Sequence, residues 1–244
     1  MRIDKCYRYE TLEFQDVLFP GFTTVLLTME GSAHRDSYMR QLNEFRPTEC
    51  VLIQHNLGFK KCAKPEWVKT TALDLWHANL KAFSEVDGPI LLLEDDVEFL
   101  PDVREAAAAV LEVVNTSGVD CYSLGSASIF LSYPVGQHLR VLLGGDTHAM
   151  MYTKQGIQKL RDVHVRLLHD IETIPRINTY TFKTPLATQR REATENSQIW
   201  DPTGFVVKMY EQLDGNEFYI SHNCGLFGGQ LLVLCVIIIL AFKL

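Results

Sequence analysis

Thr23-Thr24-Val25-Leu26-Leu27-Thr28 is a run of β-branched and apolar residues bounded by Pro20-Gly21 and by Gly31-Ser32, the pattern of a buried strand. A polar, helix-compatible segment follows from about Asp36 to Glu44, and the apolar run Cys50-Val51-Leu52-Ile53 predicts a second strand. Leu73, Trp76, Leu80 and Phe83 recur at spacings of three, four and three. That spacing gives one apolar face to a helix that ends near the break Asp87-Gly88-Pro89. Directly after the break, Ile90-Leu91-Leu92-Leu93 is the most hydrophobic strand candidate of the globular part. Pro101-Asp102 opens another helix, with Val103, Ala107, Val110, Leu111 and Val114 on one side and Gly118 near its end. Cys121-Tyr122-Ser123-Leu124 reads as the next strand. Strands alternating with helices of this length predict an α/β fold of βαβ units: a mostly parallel sheet flanked by helices, with its site beyond the carboxyl ends of the strands.

The pattern weakens from Gly125 to about Asp146, where Ile129-Phe130-Leu131 and Arg140-Val141-Leu142-Leu143 are separated by Pro134 and Gly136. A hairpin inserted in the sheet fits this stretch. A helix is predicted over Lys154 to Val163, and residues 170–223 read as irregular and polar, as acceptor-binding regions often do. The last twenty residues, Gly225 to Leu244, carry only Gln230 and Lys243 as strongly polar side chains. Such a stretch just spans a bilayer as a helix. Its uninterrupted apolar core, Leu231 to Phe242, is only twelve residues long, so a buried helix or strand of the domain is the competing reading. The expected organisation is one domain over 1–224 and a C-terminal hydrophobic helix over 225–244 that anchors it to a membrane.

Composition narrows the class of partner. A formal net charge of −7 argues against a phosphate-neutralising surface, so nucleic acid is not expected as a partner. Cys6, Cys50, Cys62, Cys121, Cys224 and Cys235 are scattered singly, with no C-x-x-C pair and no zinc-type spacing. They read as core thiols in a reducing compartment. The opening MRIDKCYRYE has no apolar signal region. With a C-terminal anchor, that places the domain on the cytosolic side.

The chemistry concentrates at ILLLEDDVEF, where Glu94, Asp95 and Asp96 stand in a row at the exit of the strand expected to be most buried. Neighbouring carboxylates repel one another and raise each other's pKa unless a cation neutralises them. Mg²⁺ or Mn²⁺ suits the place: either takes one or two protein carboxylates and leaves room for water and diphosphate oxygens. Asp96 is then the direct ligand, with Asp95 or Glu94 supporting it. The plainer alternative is that the acids open a turn and solvate a strand end.

The stretch PILLLEDDVEF resembles the signature of family 25 glycosyltransferases, which include lipopolysaccharide and collagen galactosyltransferases. Other segments follow in that family's order. TTVLLTMEGSAHRDSYMRQL is similar to its opening strand and Arg-containing helix start. WHANLKAF is similar to its Ser-His-Leu-Lys-Ala-Trp helix, with Ala78 and Asn79 where Ser and His are usual. GGDTHAMMYTKQGIQKL resembles its Gly-Thr-aromatic strand leading into a helix, and TPLATQ its Pro-Leu-x-x-Gln segment. The resemblance covers roughly residues 23–200 and implies a GT-A, Rossmann-like fold and a hexosyltransferase using a UDP-sugar donor. It implies that Leu27, Thr28, Arg35, Asn79, Glu94, Asp95 and Gln189 lie on the donor side, with Arg40 near the nucleotide. It also implies an acceptor base at Asp170, with Glu172 as fallback, and a histidine joining Asp96 and Asp95 on the metal. Of His148, His169 and His222, His169 ranks first because it adjoins Asp170. Arg190-Arg191 is a candidate for a diphosphate or an anionic acceptor, or simply a solvated pair. The acceptor would be a hydroxyl on a glycan, lipid or protein.

Two rivals stand beside this reading. One is a catalytically silent GT-A-like module that binds a glycan or protein at a membrane. The other is a nucleotidyltransferase, disfavoured because no Gly-rich basic loop follows the first strand.

Overall fold

A computed structural model describes residues 5–125, 128–145, 147–166 and 169–190, the side chains of 128–131 and 170 excepted. In chain order the elements are β1 (Tyr7–Glu13), β2 (Thr23–Met29), α1 (Arg35–Phe45), β3 (Cys50–Asn56), α2 (Thr71–Glu85), β4 (Ile90–Glu94), β5 (Val97–Phe99) and α3 (Val103–Val114). There follow β6 (Cys121–Gly125), β7 (Ser128–Val135), β8 (His138–Gly145), β9 (Ala149–Tyr152), α4 (Lys154–Arg161), α5 (His169–Thr173), a 3-10 turn (Ile174–Arg176), β10 (Thr179–Phe182) and β11 (Ala187–Gln189). One nine-stranded sheet runs β1-β3-β2-β4-β9-β6-β10-β8-β7, and β5 pairs with β11 in a separate ribbon.

The fold is α/β as expected, but the sheet is mixed rather than mostly parallel. β3, β2 and β4 form a parallel block, and β6 pairs parallel with β10. β1, β9, β8 and β7 all pair antiparallel. A parallel neighbour needs a crossover, and its helix announces the unit in the sequence, whereas an antiparallel neighbour can arrive through a turn. β1 also lacks an apolar run, since Tyr7–Glu13 alternates charged and apolar residues along an edge strand. The hairpin read between Gly125 and Asp146 is present as β7 and β8, and it closes one edge of the sheet rather than sitting within it.

Alternation along the central strands builds a core on each face. Leu26, Leu91, Leu93 and Met151 face α1 and α3, packing with Tyr38, Leu42, Phe45, Val103, Ala107 and Val110. Val25, Leu27, Ile90, Leu92 and Met150 face α2 and α4, packing with Trp76, Phe83, Ile157 and Leu160. All four apolar residues of β4 are at most 2% exposed. Each such burial favours the folded state by about 1.5–3 kcal/mol, so the register of β4, and with it the place of the acids that follow, is tightly determined. Thr70 and Thr153 cap α2 and α4, their hydroxyls accepting from the backbone N–H groups of Leu73 and Gly156.

The reading of the cysteines as core thiols is corrected at one pair. Cys6 and Cys62 form a disulfide, with Cα atoms 5.5 Å apart and a sequence separation of 56. No spacing motif announces it, because the antiparallel pairing of Tyr7 with Asn56 is what brings the two flanks together. Cys50 and Cys121 are free, and Cys224 and Cys235 lie outside the described residues. So does the apolar stretch 225–244; among the described residues no helix is long and apolar enough to cross a membrane.

Candidate functional site

The parallel block ends its strands on one edge of the sheet, and the acids stand there. Leu27 pairs with Glu94 across β2 and β4, and the backbone N–H of Glu94 donates to the carbonyl of His148 at 2.9 Å. Asp95 follows, half-buried. Its Oδ2 accepts from two hydroxyls, Thr28 Oγ1 at 2.6 Å and Ser32 Oγ at 2.7 Å. Ser32 Oγ in turn accepts from the backbone N–H of His34 at 3.2 Å, which folds the loop after β2 over the acid.

Asp96 is held from the other side of the chain. Gln189 Nε2 donates to its Oδ2 at 2.8 Å, and the backbone N–H of Arg190 donates to its carbonyl at 2.9 Å. Both donors come from the strap 186–190, which pairs with β5 through β11 and is laced to the end of β6 by Leu186 N–H on the carbonyl of Leu124 at 2.7 Å. The strap passes so close to Gly125 that a Cβ there would stand 2.1 Å from the carbonyl oxygen of Ala187 and 2.7 Å from His148 Nε2. Only glycine fits. The close approach sets the height at which Gln189 meets Asp96.

Asp96 Oδ1 is buried and has no hydrogen-bond partner among the described residues. Burial is the main cause that pushes the Asp96 carboxyl up to about 6; the Gln189 bond opposes this, and the neighbouring Asp95 charge adds to it. Among the described residues the donors on the two aspartates are hydroxyls, an amide and backbone N–H, and neither carboxylate is paired with Lys or Arg. The pair is therefore a dense negative site with one oxygen left without a donor among the described residues, a set of ligand atoms that suits a hard divalent cation. His34 lies near enough for its charge to favour ionised Asp96.

The other residues singled out in the sequence are dispersed. Arg35 is exposed on the first turn of α1 and binds Glu10 of β1 at 3.0 and 3.1 Å and the Tyr38 hydroxyl at 3.3 Å. Asn79 is 2% exposed in α2, its side-chain oxygen without a partner among the described residues. His169 is buried, stacked on Trp76 at 5.8 Å between centroids, with Nε2 at 3.0 Å from Thr147 Oγ1. Among the described residues no group of three His, Cys, Asp or Glu side chains could hold a metal ion, so the expected trio of Asp95, Asp96 and His169 is not assembled. Glu172 accepts from the backbone N–H of Arg166 with both oxygens, at 3.0 and 3.1 Å. Asp170 lies in α5, its side chain outside the described set. Arg190 pairs with Glu98 at 2.6 Å. Arg191 and His222 lie outside the described residues.

Ser32 and His34 escaped the sequence reading. Gly31-Ser32 marks the end of a strand in sequence, and nothing in its spacing shows that the loop turns back onto Asp95.

An orphaned, buried carboxylate should cost stability when no cation is present. Because the folded pKa of Asp96 is raised, the penalty is absent when the carboxyl is protonated and grows as pH rises from about 4 through about 6. In chelator-treated protein at pH 7, Asp96→Asn should therefore stabilise by about 2–3 kcal/mol. The gain should fade as pH falls toward 4. Urea midpoints across that range check it, and a variant less stable than wild type at pH 7 would contradict the burial argument.

No family model and no curated protein matches the chain. Among solved structures, the chain is similar to the crystal structure of A197 from STIV, with a TM-score of 0.44 and 13% identity, over 71% of this chain and 87% of that one.

Proposed function

We propose that this protein is a metal-dependent glycosyltransferase of the GT-A type, moving a hexose from a UDP-linked nucleotide sugar to a hydroxyl of a glycan, lipid or protein. The observation that carries the reading is the Asp95–Asp96 pair at the exit of β4. Its carboxylates are adjacent, oriented by uncharged donors, and left with a buried oxygen that has no partner among the described residues. The resemblance of the EDD stretch and of TPLATQ to family 25 supports the same assignment.

Asp96 and Asp95 would hold Mn²⁺ or Mg²⁺, which supplies charge to offset the leaving nucleoside diphosphate. The chain's own groups do the orienting. Thr28 and Ser32 fix one oxygen of Asp95, and Gln189 fixes one oxygen of Asp96, so neither carboxylate needs to reorganise when the donor arrives. Asp170 is the proposed base that takes the proton from the acceptor hydroxyl as its oxygen attacks the sugar carbon. It ranks ahead of Glu172, whose carboxylate already accepts from Arg166. The apolar stretch 225–244 is the proposed membrane anchor. The silent-module reading draws on one observation, the lack of a three-residue metal group among the described residues.

Calorimetry with UDP-sugars tests the donor site: wild type should bind only with Mn²⁺ present, and Asp96→Ala should lose that binding while remaining folded. Equal donor affinity in the variant removes the metal from Asp96. Asp170→Asn should keep donor binding and lower transfer by about 10²–10⁴-fold. Undiminished turnover there sends the search for the base elsewhere, and no transfer by wild type with any sugar favours the silent module. If 225–244 is an anchor, deleting it should raise solubility and leave the melting temperature unchanged. A molten truncated protein would make the stretch part of the core.

A further inference from the structure

A second polar cluster sits where the start of β1 meets the end of β3. Lys64 Nζ, on a side chain 1% exposed, donates to Asp74 Oδ1, to Asn56 Oδ1 at 2.7 Å and to the Tyr7 hydroxyl at 3.0 Å, which occupies all three of its donor positions. The other oxygen of Asp74 accepts from Asn56 Nδ2 at 3.2 Å and from the backbone N–H of Phe59 at 3.3 Å. Gly58, at φ +77°, donates its N–H to Asn56 Oδ1 at 2.8 Å. The 57–70 loop is thus folded back over a buried ammonium–carboxylate pair.

Such a pair holds only while both charges stay dry and in position. The covalent tie beside it does that holding. Cys62, two residues from Lys64, is bonded to Cys6, and the backbone N–H of Leu57 donates to the Cys6 carbonyl at 3.1 Å. Cys6 is buried and Cys62 is half-exposed, so Cys62 is the sulfur a reductant can reach. The same loop touches the acidic site through one step. A Cβ on Gly58 would meet Met29 Cε at 3.0 Å, and Met29 adjoins Thr28, whose hydroxyl donates to Asp95. The N–H of Glu30 on the Asn56 carbonyl, at 2.9 Å, ties the end of β2 to the same corner.

We propose that the Cys6–Cys62 disulfide is a redox latch on the 57–70 loop, setting through Met29 and Thr28 how firmly Asp95 is held. The link to Asp95 rests on the functional reading above; the latch does not. Release is a two-electron exchange with a dithiol. One thiolate attacks Cys62 Sγ, the second thiol resolves the mixed disulfide, and the reductant leaves oxidised while Cys6 and Cys62 each end as a thiol. In a reducing compartment a disulfide of this kind is transient, as sensing and catalytic disulfides are. With the tie cut, water reaches Lys64 and Asp74 and the loop opens.

Hydrogen exchange on the full-length protein, before and after dithiothreitol, reads the latch. Amides of 57–70 should exchange at least about tenfold faster after reduction, while those of β2 and β4 hold their protection. Cys62→Ser should reproduce the reduced pattern without reductant. Oxidised Lys64→Met/Asp74→Asn, which removes both charges together, should keep the loop closed. Unchanged exchange on reduction overturns the proposal, as does loss of protection across the whole sheet, which would make the bond a global staple. A loop that opens in oxidised Lys64→Met/Asp74→Asn also overturns it, since the ion pair would then be the latch. Mn²⁺ affinity should fall on reduction, and equal affinity in both states refutes the coupling to Asp95. Absence of Mn²⁺ binding in either state, with the loop still released by reduction, sinks the functional reading and supports the latch.

Discussion

Asp96 follows a strand whose four apolar residues are at most 2% exposed, with one carboxylate oxygen on Gln189 and the other buried without a donor among the described residues. Everything around it keeps it there. β4 cannot slide, because a slip of one residue would turn every side chain of Ile90–Leu93 to the opposite face of a sheet that is covered on both sides. The loop after β2 cannot lift without breaking the Ser32 bond to Asp95, and the 186–190 strap cannot rise without leaving β5 and β6. A charge held this firmly in a poorly solvated place is raised in energy until something positive arrives. That is the physical content of the site.

Two corners of the same sheet edge solve the problem of buried charge in opposite ways. At Asp74 the carboxylate has an internal cation, Lys64, and each partner is further satisfied by amide, hydroxyl or backbone groups. At Asp95 and Asp96 the described residues supply only neutral hydrogen-bond donors. The first arrangement stabilises structure because it is complete; the second is left incomplete and suits a ligand. Met29 and the end of β2 lie between the two.

The correction at Cys6 and Cys62 and the mixed sheet share one cause. β1 folds back along β3 without a crossover, which adds an antiparallel edge and brings the two cysteines together. β9 enters between β4 and β6 in the same manner, and its neighbour His148 gives its carbonyl to the N–H of Glu94. Short antiparallel insertions of this kind carry little periodic signal, since four residues such as Ala149–Tyr152 are too few to establish a pattern.

By itself the sequence determined the α/β class, β2, β3, β4 and β6, the helices α1 to α4, the β7–β8 hairpin and the position of Glu94, Asp95 and Asp96 at a buried strand exit. These follow from local periodicity and from where apolar runs stop. Gln189 was legible only through the resemblance of TPLATQ, and its partner was not. Tertiary structure alone decided that Gln189 meets Asp96 across 93 residues of chain, that Ser32 turns back to Asp95, and that Cys62 reaches Cys6. It also decided that His169 stacks on Trp76 and that Arg35 pairs with Glu10. Contacts between distant segments depend on strand order and on close backbone approaches such as that of Gly125 and Ala187, and no spacing along one chain encodes which edge a strand will join.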